Sequence, residues 1–291
     1  MNPLVVLAAL FSVSIWGASP VAAKLAVESM SPYSVSILRT VLAGLIALPM
    51  AWILGIRLPA TNKNKLLLVL SGFCGFVAFA FLLTIGVNLT SANHASLILA
   101  SLPVTTGAIA KAWDKQWPSK IWWTGCTIAI IGECYLIFGD PGSAHHGATI
   151  KGDLIIFFAN IFASLGYVIG GRLQQSGYSS AGTTFWGVGI WTLILIPFLP
   201  LFVNQNTFIA ATTTSLFGLA YLAIGVTIIA YIAWYWCLGK GGIARIGTFQ
   251  FLQPVTGVLA AWWLLSEQIS PSFLAASILI LIGVWVALKS K

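Results

Sequence analysis

Charge is what this sequence has least of: 7% of its 291 residues are charged, with 14 Lys+Arg against 6 Asp+Glu and 3 His. A soluble domain carries about 25% charged residues, and a surface this poor in charge does not stay in water. With 59% hydrophobic residues, the chain takes the bilayer as its solvent. The same scarcity removes whole function classes. A membrane-embedded enzyme needs a convergent nucleophile, base or metal set, and these few acids and histidines show no such spacing. Cys74, Cys126, Cys134 and Cys237 fall in apolar stretches without C-x-x-C or zinc-like spacing, and read as small fillers. His145-His146 near Asp140 reads as a polar linker rather than a metal site. Lys240-Gly-Gly242 lacks the rest of a phosphate loop, so no nucleotide drives the protein directly, and no cofactor is expected. The formal charge of +8 is scattered over short loops instead of forming a basic patch, which excludes nucleic acid as a partner.

What is there is apolar sequence in span-sized pieces. A span needs roughly 20 apolar residues, and such stretches lie at roughly 3–27, 32–54, 66–87, 91–112, 118–138, 153–172, 180–203, 214–238, 242–264 and 271–288. The fold class is an all-α integral membrane protein of ten transmembrane helices. The first stretch has no basic n-region and is interrupted by Trp16 and Pro20, so it reads as a true span and not a signal peptide. With a cytoplasmic N-terminus, Arg57, Lys63, Lys65, Lys111, Lys115, Lys120, Arg172, Lys240, Arg245, Lys289 and Lys291 fall inside, against Lys24 and Lys151 outside. That asymmetry follows the positive-inside rule and places both termini in the cytoplasm.

An internal repeat accompanies the ten spans. Pro103-Val104-Thr105 recurs as Pro254-Val255-Thr256, and Ile131-Gly132 as Ile282-Gly283, both at a shift of 151 residues. The same shift places Trp16 on Tyr167 and Phe11 on Phe162. The predicted domains are a five-helix repeat over 1–140, an external linker over 141–151 and a second repeat over 152–291. Because each half holds an odd number of spans, the second enters the bilayer inverted, an architecture common among secondary transporters.

Particular segments carry a family likeness. Ala230-Tyr-Ile-Ala-Trp-Tyr-Trp236 leading into Gly239, Phe251-Leu-Gln-Pro-Val255 and Trp263-Leu-Leu-Ser-Glu267 in the second half resemble the drug/metabolite transporter superfamily. So do Trp16-Gly17 and the run from Asn88 to Val104 in the first. The match is to its ten-span exporters built from two EamA-type halves. The resemblance implies export of small metabolites, most similar to bacterial amino-acid exporters, across the inner membrane by alternating access. It places spans 1, 3, 4, 6, 8 and 9 around a central cavity. The halves have diverged, since Gln116 stands where the register of Glu267 falls and Tyr167-Val168 replaces Trp16-Gly17.

Three groups are candidates for function. Arg39 and Glu133 lie about 10 Å and about 9 Å from the outer ends of their spans at 1.5 Å per residue. Charged groups inside a bilayer face a cavity or a partner, so the two read as a structural ion pair or, for Glu133, a proton-coupling site. Gln250 and Gln253 share one face of span 9 beside Pro254, either facing a substrate or bonding neighbouring helices. Ser101 and Thr105 flank the repeated proline at Pro103, and His94 lies nearer the outer end, where a hydrogen-bonded interfacial role competes with proton transfer. The third group, Trp16, Phe79, Tyr167, Tyr231 and Trp234, could line an amphipathic pocket. With no cluster of Lys or Arg at mid-depth, the expected cargo is a neutral or zwitterionic small molecule, in a lipid bilayer setting. A channel, which favours a continuous polar file, fits these isolated groups less well. The sequence leaves the oligomeric state open.

Overall fold

The computed structural model describes residues 2–115, 119–138, 149–241, 246–267, 269 and 271–289, and every regular element among them is helical. Ten helices follow one another: α1 (Pro3–Val27), α2 (Pro32–Ile53), α3 (Asn62–Leu89), α4 (Ala92–Trp113), α5 (Lys120–Phe138), α6 (Ile150–Gln175), α7 (Ser180–Phe202), α8 (Thr213–Gly241), α9 (Leu252–Leu265) and α10 (Pro271–Lys289). A short helix, Gln205–Ile209, follows α7. Seven of these, α1 to α4 and α6 to α8, are long and apolar enough to cross a membrane. Gln116, Asp140, His145, His146, Arg245, Lys291 and most of the 141–151 linker lie outside the described residues, as do the side chains of Glu133, Cys134 and Pro254.

Helices begin where the sequence supplies an acceptor for the first free N–H groups, which would otherwise be costly next to lipid. Asn2, Ser31, Thr61, Ser91, Thr149, Ser179 and Thr212 each accept a backbone N–H with the side chain at the start of α1, α2, α3, α4, α6, α7 and α8. Pro3 and Pro32 occupy first-turn positions where no N–H is missed. The Thr61 cap explains why α3 starts at Asn62 instead of near residue 66: the polar Asn-Lys-Asn-Lys run is helical too. Likewise α9 becomes α-helical only at Leu252, after a 3-10 turn over Thr248–Phe251.

The fold is turned inside out relative to a water-soluble one. Trp52, Ile209 and Trp263 are among the most exposed side chains, whereas Arg39, Asp153, Asn160 and Gln250 are buried. This is the distribution expected of an integral membrane protein.

Two of the departures from α-helix recur in both halves, while a third, the 3-10 turn Ile196–Phe198 within α7, has α-helix at the matching positions 45–47. A π-helical segment, Phe73–Ala78, interrupts α3, and another, Tyr221–Ala230, interrupts α8. A 3-10 turn, Leu99–Ser101, interrupts α4, and that at Thr248–Phe251 precedes α9. A shift of 151 residues carries the first π segment to 224–229, inside the second, and the first 3-10 turn to 250–252, which overlaps the second at 250 and 251. The helices α5 and α10 pack along their length. A Cβ on Gly132 would stand 2.9 Å from the Ile280 N, and one on Gly283 would stand 2.3 Å from the Ala129 N. The repeated Ile-Gly pairs therefore face each other across one antiparallel helix contact.

Polar contacts mark two ends of the bundle. At one, Arg172 donates to Asp114 at 2.6 Å, Asn64 bonds Ser176 and the Tyr178 hydroxyl donates to the Arg57 carbonyl. At the other, the Glu267 carboxylate accepts the backbone N–H groups of Ala92 and Asn93 at 2.8 and 2.9 Å.

Candidate functional site

The centre of the bundle is organised by the two π segments. A π turn spreads the backbone ladder and leaves carbonyls looking for donors, which is why such segments recur at functional sites. Here side chains supply the donors. The Trp16 indole donates to the Val226 carbonyl at 3.2 Å, and the Tyr231 hydroxyl to that of Gly75 at 3.3 Å. Thr40 donates to Phe76 O at 2.8 Å, and Thr227 to Leu222 O, five residues back, at 2.8 Å.

Trp16 reaches this position because α1 runs against α9 at Gly17. A Cβ on Gly17 would fall 1.7 Å from the Thr256 Oγ1 and 2.5 Å from the Gln253 carbonyl, so only glycine permits the contact. From there the Trp16 ring stacks on Tyr167 at 5.2 Å and 21°, and meets Tyr231 and Trp234 edge-on at 4.9 and 5.2 Å. Phe76 and Tyr235 extend the group through Tyr231 at 4.7 and 5.7 Å. Such pairs add about 0.5–1.5 kcal/mol each beyond burial. All of these rings are buried.

Several polar atoms around the cluster have no hydrogen-bond partner: the Trp234 Nε1, both amide atoms of Gln250 and the Gln253 Nε2. Arg39 belongs to the same centre. It is 1% exposed, its Nε donates to the Thr227 Oγ1 at 3.0 Å, and its guanidinium lies 5.9 Å from the Phe79 ring centroid. Buried unpaired polar groups are few in folded proteins, and each calls for an explanation.

This centre sets packed aromatic faces near buried polar atoms that have no partner. Among the described residues no three His, Cys, Asp or Glu gather as a metal site. The model of the EamA-like transporter family matches the chain twice, over residues 3–138 and 150–289.

The chain belongs to the EamA-like transporter family. It is thus a multi-pass membrane transporter of the drug/metabolite superfamily and not an enzyme. It is similar to the Bacillus subtilis protein named "Uncharacterized transporter YdeK", 27% identical over 94% of this chain and 93% of the relative. It is also similar to proteins named "Probable amino-acid metabolite efflux pump" from Salmonella typhimurium and Escherichia coli, each 27% identical over 96% of this chain and 92% of the relative. A solved crystal structure shares the fold with a TM-score of 0.68 at 15% identity, over 99% of this chain and 97% of that one.

Within this EamA-like fold the candidates separate. Trp16, Tyr167, Tyr231 and Trp234 come together, and Phe79 adjoins them across Arg39. Gln253 is buried on α9 and Gln250 in the 3-10 turn that precedes it. Ser101 and Thr105 point elsewhere: Asn160 on α6 donates to the Ser101 Oγ at 2.6 Å, and Thr105 shares a 2.6 Å hydrogen bond with Ser164. Those two residues join α4 to α6. His94 sits at the Glu267 end, 2.9 Å from Asp153 Oδ2, while Thr90 donates to Asp153 Oδ1. Lys24 donates to the carbonyls of Val87 and Thr90 at 2.8 and 2.7 Å, at the C-terminal end of α3. Arg39 donates to Thr227, while the side chain of Glu133, its expected partner, lies outside the described residues on α5, which packs along α10. Equal depth says nothing of which way two helices face.

Asn160, Asp153, Phe76 and Thr227 were not singled out from sequence. Asn160 offered the same signal as Gln250, an amide deep in an apolar stretch. Asp153 looked like the polar start of a span, and Thr227 resembles any threonine bonding its own helix.

Proposed function

We propose that this transporter exports small organic metabolites, most closely amino acids including aromatic and apolar ones, across the bacterial inner membrane. The observation that carries the reading is the Trp16-centred cluster, in which rings from α1, α6 and α8 meet beside unpaired amide and indole groups. Aromatic faces with a few convergent polar atoms suit an amphipathic solute of modest size. The names of two relatives, amino-acid metabolite efflux pumps, support the same class.

Transport proceeds by alternating access between two inverted halves, 1–140 and 152–291, joined by the 141–151 linker. Support comes from the paired π and 3-10 interruptions at one sequence shift and from the facing Gly132 and Gly283. Helices broken near mid-depth are the usual substrate-binding elements of such repeats. The Arg172 end, richer in Lys and Arg, is the cytoplasmic one, with both termini there.

Substrate counterflow in proteoliposomes tests this. Preloaded unlabelled phenylalanine or leucine should drive saturable accumulation of the labelled amino acid. Flux that does not saturate, or that shows no exchange, overturns the carrier reading.

A further inference from the structure

Arg39 poses a problem that the fold alone does not solve. Its guanidinium is 1% exposed, yet Nη1 and Nη2 have no hydrogen-bond partner. The ion pairs among the described residues are His94 with Asp153 and Arg172 with Asp114, both remote from it. Glu267 is occupied by the Ala92 and Asn93 amides. A buried cation held by one threonine and the face of one phenylalanine is expensive. It is also well aimed: Thr227, in the α8 π segment, fixes Nε, while Tyr231 and Tyr167 lie within electrostatic reach. That leaves the two terminal nitrogens as an oriented, unused fork beside the aromatic cluster.

We propose that this fork binds the carboxylate of the transported solute. Two parallel N–H donors match the two oxygens of a carboxylate, a geometry arginine provides and lysine does not. A single arginine balances a single negative charge. A phosphate dianion would ask for more cations, and no second Lys or Arg accompanies Arg39 at this depth among the described residues. The cargo is thus a carboxylate with an apolar or aromatic body, which lies on Trp16, Tyr167 and Tyr231 while its acid group sits on Arg39. This assignment rests on the amino-acid reading above and sharpens it: the acid group, not only the side chain, is recognised.

The test compares phenylalanine with phenylalaninamide in proteoliposome exchange. Wild type should prefer the acid by about 10-fold or more in KM, the scale of a charge-assisted bidentate contact. In Arg39→Gln the KM for phenylalanine should rise at least about 10-fold while that for the amide stays, so the preference collapses. Arg39→Lys should fall between the two. Thr227→Val, which releases Nε and the Leu222 carbonyl but leaves the guanidinium in place, should raise the acid KM by roughly 3-fold and the amide KM by less, and stands in if Arg39→Gln does not fold. An Arg39→Gln or Thr227→Val protein that keeps the full acid-over-amide preference overturns the assignment and leaves amino-acid export intact. A wild type that exchanges phenylalanine and its amide equally does the same. A wild type that exchanges neither overturns the amino-acid reading and the assignment with it.

Discussion

The centre of the bundle and its Glu267 end treat charge in opposite ways. At the Glu267 end Glu267, Lys24 and Asp153 each have partners. Glu267 closes the start of α4 by accepting two backbone N–H groups, where the helix dipole also favours an anion. Lys24 takes the last carbonyls of α3, and Asp153 holds both Thr90 and His94. At the centre, Arg39 uses one of three nitrogens, and Trp234 and Gln250 leave donors unused. In the first region these charged groups are paired without a ligand, although the Asn93 Oδ1 and Ser96 Oγ are buried there without a hydrogen-bond partner. On the reading proposed above, the carboxylate of the solute supplies what the second lacks.

The largest effect should come from removing the ring at the hub of the incomplete region. Trp16→Ala takes away three ring contacts and the bond to the Val226 carbonyl in the α8 π segment. Exchange of phenylalanine should fall by roughly 10- to 100-fold, that of alanine by less, in line with loss of aromatic stacking plus a buried hydrogen bond. Kinetics unchanged for both solutes would place the cargo elsewhere and dissolve the contrast.

How much of this arrangement was legible beforehand depends on the kind of interaction. The spans and the aromatic hub were, because hydropathy and residue size are local properties: Trp16, Tyr167, Tyr231 and Trp234 were visible as rings at depth in separate stretches. Pairing was not. His94 and Asp153 lie 59 residues apart, and Glu267 binds backbone N–H groups of Ala92 and Asn93, which carry no side-chain signature. Arg39 was found by its depth, which fixes height along a helix and leaves its facing direction open. Ser101 and Thr105 flank the repeated proline as expected, yet the turn there directs them to α6. The π segments have no sequence signal beyond the register they share with each other.

Smaller effects should come from the completed regions, and they should be effects on stability without effects on preference. Asp153→Ala leaves the Thr90 hydroxyl and the His94 ring without their carboxylate. Losing buried partners of this kind costs about 1–3 kcal/mol, which should lower the melting temperature in detergent and speed hydrogen exchange over residues 90–98. The ratio of phenylalanine to alanine transport should stay as in wild type. If that ratio shifts as it does for Trp16→Ala, the Glu267 end is part of the cargo site and the contrast fails.

Ser101→Ala is the finest probe, because it separates a helix contact from a substrate contact at one residue. Asn160 would lose its 2.6 Å acceptor but keep the Ile98 carbonyl at 3.4 Å. Hydrogen bonds between membrane helices average about 0.6 kcal/mol, and the remaining acceptor softens the loss, so a cost of that order in thermal stability is expected. A hydroxyl facing the solute would instead show itself in KM, with stability untouched. Measuring both on the same preparation decides which it is: a lower melting temperature at unchanged KM keeps Ser101 in the α4–α6 contact, and the reverse pattern moves it into the site.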